Sequence, residues 1–310
     1  MEIILVLFLA IAFDLALGEP PRAIHPVVWM GKVTSFLEKG GTGHASRIQF
    51  IYGLGMILIT LALFTVPAYF ILLYLKGLSL VTYMIAGAVL LKPTFSLKEL
   101  RRVSLEIKSL LLEDKMDEAR FELRSLVSRN TSNLSKPLLV SATVESVAES
   151  TSDSFIAPLF YFLLFGVPGA IAYRVVNTMD AMIGYHGKYE YLGKFASRLD
   201  DVLNFIPARL SALLIILAAF LSRRNGRVSW RVALGEHART ESPNAGWPMA
   251  AVAGALNVQL EKVGHYKLGK TSNTLEPEAI DASLELAQVT MLVWTLICLM
   301  IGVIQFVLTS

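Results

Sequence analysis

The chain has 310 residues, 54% of them hydrophobic and only 17% charged, with a formal net charge of +3 and a mean hydropathy of +0.56. That is too apolar for an ordinary water-soluble domain and points to a polytopic membrane protein. The positive charge is spread over several loops, which leaves no basic block for nucleic acid, and the lone Cys298 supports neither a disulfide framework nor a zinc site.

Met1 to Leu17 is apolar, with Glu2 and Asp14 as its only charges. A signal peptide would begin with basic residues, so this segment is expected to be an uncleaved first helix, slightly short of the ~20 residues of a full span. Gly18, Pro20 and Pro21 end it. The stretch Glu19–Arg47 reads as a loop holding His25, and a lone histidine is more often structural than functional. Ile48–Leu75 is uncharged and interrupted by Pro67; with Leu78–Leu91 it forms a membrane hairpin around Lys76-Gly77.

Lys92–Lys136 is polar and periodic, and an extramembrane helical insertion is expected over about 92–140. Ser96-Leu97-Lys98-Glu99 is a capping-box start. Leu97, Leu100, Val103, Ile107, Leu110 and Leu111 form one apolar stripe, and a second amphipathic helix starts near Asp114 with Ala119, Leu123, Leu126 and Val127. Lys98, Arg101, Arg102, Lys108 and Lys115 read as a solvated cytoplasmic face.

Three more apolar segments follow: Phe155–Tyr173, broken up by Pro158, Gly166, Pro168 and Gly169; Ala208–Ser222, charged only at Arg209; and Leu286–Ser310, long enough to cross with some tilt. The fold expected is therefore all-α: a single polytopic membrane domain over 1–310 with about five or six membrane segments, one or two of them re-entrant, plus extramembrane amphipathic helices. If all six segments cross, the Lys- and Arg-rich loops Glu19–Arg47, Lys92–Ser154 and Arg223–Glu285 share the cytoplasmic side and Val176–Phe205 falls on the other. Breaking Phe155–Tyr173 into a re-entrant segment, with the Arg209 segment partial, would return Val176–Phe205 to the common side, and irregular backbone at membrane depth is tolerated where it lines a cavity.

Arg223–Glu285 is a second polar loop region. Arg223, Arg224, Arg227 and Arg231 read as positive-inside anchors touching headgroups. Ser242–Pro248 is a rigid turn before the small-residue helix Met249–Leu256, which invites close approach of another helix or of a flat ligand. Gly264 to Thr271 satisfies G-x-x-x-x-G-K-[ST], but a phosphate-cradling loop needs a strand before it and a helix starting at the lysine, and Thr271–Pro277 is a poor helix start. The local context therefore argues against a phosphate cradle.

The densest chemistry lies in Ser141–Arg209. Glu145, Glu149 and Asp153 fall at i, i+4 and i+8, one stripe of a helix, where like charges repel unless a cation or a basic partner covers them. On charge pattern alone, a solvated acidic face explains the stripe equally well. Asp180, Asp200 and Asp201 follow, with Arg174, Asn177, Arg198, Asn204 and Arg209 between and after them. Consecutive Asp200 and Asp201 point about 100° apart on a helix, so only one is a good ligand for a given ion.

The strings VESVAES-SD-APLFY, YRVVNTMDAMIGY and SRLDDVLNFIPAR, with DLALGEPPRAIHPVVWMGK from Asp14 and SPNAGWPMAAVAGAL from Ser242, resemble the adenosylcobinamide-phosphate synthase (CobD/CbiB) family over nearly the whole chain. Asn130 and Ser150 depart from the family pattern, which shows Asp and Asn there. The resemblance implies a multi-pass cell-membrane enzyme of cobalamin biosynthesis. Its implied reaction is ATP-dependent amide formation between adenosylcobyric acid and aminopropanol phosphate, or aminopropanol. A carboxylate does not acylate an amine in water until it is activated. An acyl phosphate made from ATP would do so, with Mg²⁺ bridging phosphates and carboxylates holding the ion.

On this reading Glu145, Glu149, Asp153, Asp180, Asp200 and Asp201 are the catalytic candidates, with Asp153, Asp180 and Asp201 as metal ligands. Arg174, Asn177, Arg198, Asn204, Arg209, His25, Asn244, Gly246, Trp247 and Tyr266 are the substrate-binding candidates. The lipid bilayer is the expected partner, and oligomeric state is left open, a homo-oligomer included. A transporter, favoured by intramembrane charge but lacking an internal repeat, and a scaffold docking soluble enzymes through Lys92–Lys136 are the competing readings.

Overall fold

A computed structural model describes residues 2–21, 23–96, 98–185, 187–270 and 275–309, with Thr309 described by its backbone only. The expected capping box passes through Leu97, and the end of the look-alike phosphate loop, Thr271, lies in 271–274; both fall outside the described residues. The described chain is helical apart from one two-stranded hairpin. Among the described residues, five segments are long and apolar enough to cross a membrane: Ser46–Leu78, Leu80–Leu112, Lys136–Ile183, Lys194–Leu221 and Glu278–Leu308. In lipid the helix is the solution that satisfies every backbone amide within the segment itself.

The chain divides into two compact units, residues 1–96, 157–204 and 298–310 forming one and residues 97–156 and 205–297 the other. The first unit is built from α1 (Glu2–Leu17), α2 (Pro26–Gly41), α3 (Ser46–Leu78), α4 (Leu80–Leu91), α8 (Ala157–Ile183) and the start of α9 (Lys194–Leu221). Helix α1 packs on α4, and α3 packs on α2, α4 and α8. Small residues allow these close approaches: Gly87 of α4 lies against Val6 and Val167, and Ala10, Ala88 and Ala170 are buried with Leu7, Ile57, Leu91 and Met179.

Glu19–Arg47, expected as a loop, contains the full helix α2. Its start signal is in the sequence: Pro26 occupies the first turn, where its missing N–H costs nothing, and His25 caps it. Pro67 and Pro207 sit inside continuous helices. Helix α8 is broken, as its Pro/Gly content implies, at Gly166 with φ 67° and ψ −163°. Val176–Phe205 also proves mostly helical, because α8 runs on to Ile183 and α9 begins at Lys194. The Arg209 segment lies within α9, which is continuous rather than partial.

In the second unit, α5 (Lys98–Leu112) and α6 (Met116–Leu123) bury the expected stripes, Leu100, Val103, Ile107 and Leu111 on one and Ala119 and Leu123 on the other. Both pack on α7 (Lys136–Thr151). The basic face of α5 is partly paired, Arg102 with Glu99 and Glu106, and Lys108 with Asp281. Region 223–285 is built from α10 (Gly226–Glu236), α11 (Gly246–Leu256), and strands β1 (Leu260–Lys262) and β2 (Tyr266–Leu268), paired antiparallel with Lys262 opposite Tyr266. The small-residue helix α11 takes a helix as its neighbour: α10 packs on it, with Ser229 donating to the Ala251 carbonyl at 2.7 Å. Most of α12 (Glu278–Thr309) belongs to this unit.

Candidate active site

In the first unit the α8–α9 connection assembles the carboxylates. A Cβ on Gly193 would overlap the Ile183 carbonyl, so glycine there lets the start of α9 abut the end of α8. This brings Asp180, near the α8 end, within electrostatic reach of Asp200 and Asp201, and Ser197 hydrogen-bonds Asp180. Asp200 accepts from Asn204 Nδ2 at 2.9 Å, one helical turn on, and more weakly from Asn177 Nδ2 at 3.5 Å. Two further donors fix these amides: Tyr173 donates to Asn204 Oδ1 at 2.8 Å and Arg174 to Asn177 Oδ1 at 3.1 Å. Tyr173 in turn stacks on Tyr161, whose hydroxyl donates to the Leu203 carbonyl at 2.8 Å.

Asp200 and Asp201 therefore differ as the helix geometry requires. Asp200 is held by two amides, while Asp201 faces Arg198, which is 76% exposed, across 3.9 Å. Like-charged carboxylates gathered at membrane-helix ends are costly unless protonation or a cation offsets the repulsion. Among the described residues no three His, Cys, Asp or Glu side chains converge tightly enough to hold an ion by themselves. Mg²⁺ commonly takes one or two carboxylates and completes its shell with phosphate oxygens and water, a donor set that this cluster fits.

His25 belongs to a different set in the same unit. Its Nδ1 accepts from Val27 N at 3.2 Å as the cap of α2, and its Nε2 lies 2.8 Å from Glu19 Oε2. Lys92 bridges Glu19 at 2.8 Å and Asp14 at 3.2 Å; its side chain is 7% exposed and that of Asp14 fully buried. Burial alone would raise the Glu19 carboxyl, but the hydrogen bonds from His25 and Lys92, with the Lys92 charge, bring it down to about 2. The sequence reading missed Asp14, Glu19 and Lys92 as one group. The signal available was three charges flanking apolar segments, which are retained only when paired.

In the second unit Glu145 is buried with both oxygens engaged: Ser141 Oγ donates to Oε1 at 2.6 Å, and Arg129 Nη2 and the Tyr266 hydroxyl each reach Oε2 at 2.9 Å. Burial and the adjacent Glu145 charge push the Tyr266 phenol up, keeping it a donor. Ser141 also accepts from Glu261 N at 2.8 Å, so this set ties the β-hairpin to α7. Glu149 is exposed on α7, and Asp153 lies on a π-helical turn, Ser152–Ile156, a feature that concentrates at functional sites.

A third group joins four residues singled out from the sequence. The Arg209 guanidinium lies 3.6 Å from the Phe205 ring centroid and 5.1 Å from that of Trp247, and donates to Asn244 Oδ1 at 3.3 Å. Gly246 brings its backbone against His237, whose ring stacks on Trp247 at 3.8 Å. His237 was not found from the sequence, since nothing local marks it. Its Nδ1 lies 2.9 Å from the Ala233 carbonyl, which can only accept, so Nδ1 carries the proton. A cation and aromatic faces held together suit a flat ligand with carbonyl or phosphate edges.

The look-alike phosphate loop is no cradle in its described part. Tyr266–Leu268 form strand β2, and Gly264 lies in the hairpin turn with φ 78°.

A family model described as CobD/Cbib protein matches residues 7–295. Cobalamin biosynthesis protein CobD of Dehalococcoides mccartyi (strain CBDB1) is 55% identical over 306 residues, 99% of this chain and 99% of its own. The probable cobalamin biosynthesis protein CobD of Methanothermobacter thermautotrophicus is 42% identical over 297 residues, 96% of this chain and 97% of its own. Its counterpart in Thermococcus kodakarensis is 42% identical over 272 residues, 86% of this chain and 85% of its own. No solved structure matches significantly.

Proposed function

The chain belongs to the CobD/CbiB family and acts in cobalamin biosynthesis, and from that premise we propose that it is an ATP-dependent amide synthase joining adenosylcobyric acid to aminopropanol phosphate or aminopropanol. The observation that carries this reading is the Asp180–Asp200–Asp201 cluster, three carboxylates within electrostatic reach of one another beside fixed amides and two arginines.

The carboxylate of adenosylcobyric acid takes the terminal phosphoryl group of ATP, releasing ADP. The amine nitrogen then attacks the acyl carbon, the C–O bond to phosphate breaks, and nitrogen gives up a proton to the phosphate released. Asp180 and Asp201 would hold Mg²⁺, which neutralises phosphate charge when bound. Asp200 has a positioning part: with both flanking amides turned toward it, it orients Asn177 and through it Arg174, which we assign to phosphate. Arg198 supplies a second, more exposed cation. Arg209, Asn244 and Trp247 are assigned to the corrin amide edges. Asp153 keeps its candidacy on separate ground, the π-turn that carries it. Glu145 and Tyr266 are assigned to holding the hairpin on α7, and His25 to starting α2.

Purified protein in lipid nanodiscs, given adenosylcobyric acid, ATP, Mg²⁺ and each amine in turn, tests the reading. The expected result is an amide product formed with stoichiometric ADP and phosphate. A folded preparation that makes no amide with either amine would overturn it and return a transporter or scaffold to the front.

A further inference from the structure

A groove of about 400 Å³ in the second unit is lined by Ile216 and Phe220 of α9 and by Arg227, Trp230 and Arg231 of α10. Helix α9 is apolar enough to cross a membrane and ends at Leu221, so the groove lies where that helix leaves the hydrocarbon. Its form is built in. A Cβ on Gly226 would run into the Phe220 ring, so glycine lets the first turn of α10 sit on that ring without displacing it. Asn225 Oδ1 then accepts from Val228 N at 3.1 Å and caps α10 in that position.

The two arginines stand four residues apart on one face of α10, an arrangement that repels unless an anion lies between them. Their neighbours in sequence are satisfied, Arg224 by Glu285 and Arg239 by Glu236. Among the described residues neither Arg227 nor Arg231 has a carboxylate or hydrogen-bond partner, although both are exposed. Trp230 lies between them in sequence and is 45% exposed, and Phe220 is 53% exposed. An indole beside basic residues at a helix end is the composition of a membrane–water boundary.

We propose that this groove binds an anionic phospholipid, with its acyl chain along Ile216 and Phe220 and its phosphodiester between Arg227 and Arg231. Charge and shape both select that occupant. A free phosphate would use the arginines and leave the apolar floor wet, whereas a zwitterionic lipid would use the floor and bring a choline against the guanidiniums. An anionic phospholipid uses both, as basic pockets on the cytoplasmic side of membrane proteins do.

The test reads Trp230 fluorescence in the full-length protein, as the difference between wild type and Trp230→Phe. Micelles are doped with phosphatidylglycerol or phosphatidylcholine brominated on the acyl chain. Brominated phosphatidylglycerol is expected to quench at a lower mole fraction than brominated phosphatidylcholine. Arg227→Gln with Arg231→Gln should raise the phosphatidylglycerol midpoint roughly five-fold for each arginine, about 1 kcal/mol apiece, and leave the phosphatidylcholine curve in place. Arg227→Lys with Arg231→Lys should keep most of the preference. Equal midpoints for the two lipids in wild type, an undiminished preference in the glutamine pair with wild-type helix content by circular dichroism, or displacement of the lipid by millimolar inorganic phosphate would each overturn the proposal. Amide synthesis is not the readout, so the result stands apart from the reaction proposed above.

Discussion

Replacing Lys92 with methionine would remove the one cation that bridges Asp14 and Glu19, at 3.2 and 2.8 Å, while keeping the length and most of the volume of the side chain. Asp14 has no exposed side-chain surface, so its charge would be left in a low-dielectric interior, a change that costs about 3–5 kcal/mol when one partner of a buried pair is removed. Glu19 bears on the same group. Burial would raise its carboxyl, but the hydrogen bonds from His25 first and then Lys92, with the Lys92 charge, lower it from its ordinary 4.5 to about 2, about 3 kcal/mol that Lys92 shares with His25. With an unfolding entropy of about 2.1 cal/mol/K per residue over 310 residues, or about 0.65 kcal/mol/K, a loss of 3 kcal/mol lowers Tm by about 5 °C. The sign with pH follows from the depressed carboxyl. Its contribution is present above about 4.5 and is lost as pH falls from there toward 2. Thermal unfolding in detergent, followed by circular dichroism at pH 7 and pH 3.5, should therefore show Lys92→Met well below wild type at pH 7 and the gap narrowing in acid. Adding Asp14→Asn should restore part of the loss, since it removes the fully buried charge and leaves only Glu19, which keeps its bond to His25. A Tm within a degree of wild type at pH 7 would refute the reasoning, because the buried pair would then contribute nothing.

Asp180→Asn should stay folded and membrane-inserted, yet lose on the order of 100-fold in amide synthesis, with partial recovery at raised Mg²⁺; near-normal turnover would make this carboxylate structural. Tyr266→Phe removes one of the three donors to Glu145 and should cost about 1.5 kcal/mol or more, read as lowered thermal stability, and an unchanged midpoint would mean that Arg129 and Ser141 suffice. In a Cys298→Ser background, cysteines placed at the exposed positions Ser109 and Gly235 should both be protected from an impermeant thiol reagent in intact cells, whereas labelling from outside would invert the assigned orientation.

Composition was enough to establish a multi-pass helical protein, because hydrocarbon admits few alternatives to long apolar helices. Local pattern was enough for the stripes of α5 and α6 and for the break that falls at Gly166, since periodicity and Pro/Gly content act within one or two turns. The candidate carboxylates were likewise legible one by one. Their grouping was not. Asp180 meets Asp200 because Gly193 lets two helix ends abut, and Arg209 meets Asn244 and Trp247 because the turn into α11 returns to it, contacts that no local spacing encodes. Nor did spacing show that Glu145 would have both oxygens engaged by Ser141, Arg129 and Tyr266, the last of them more than a hundred residues away. A carboxylate reads the same in sequence whether it is poised for chemistry or saturated by donors, because its role is set by what lies within about 3 Å, and only tertiary packing decides that.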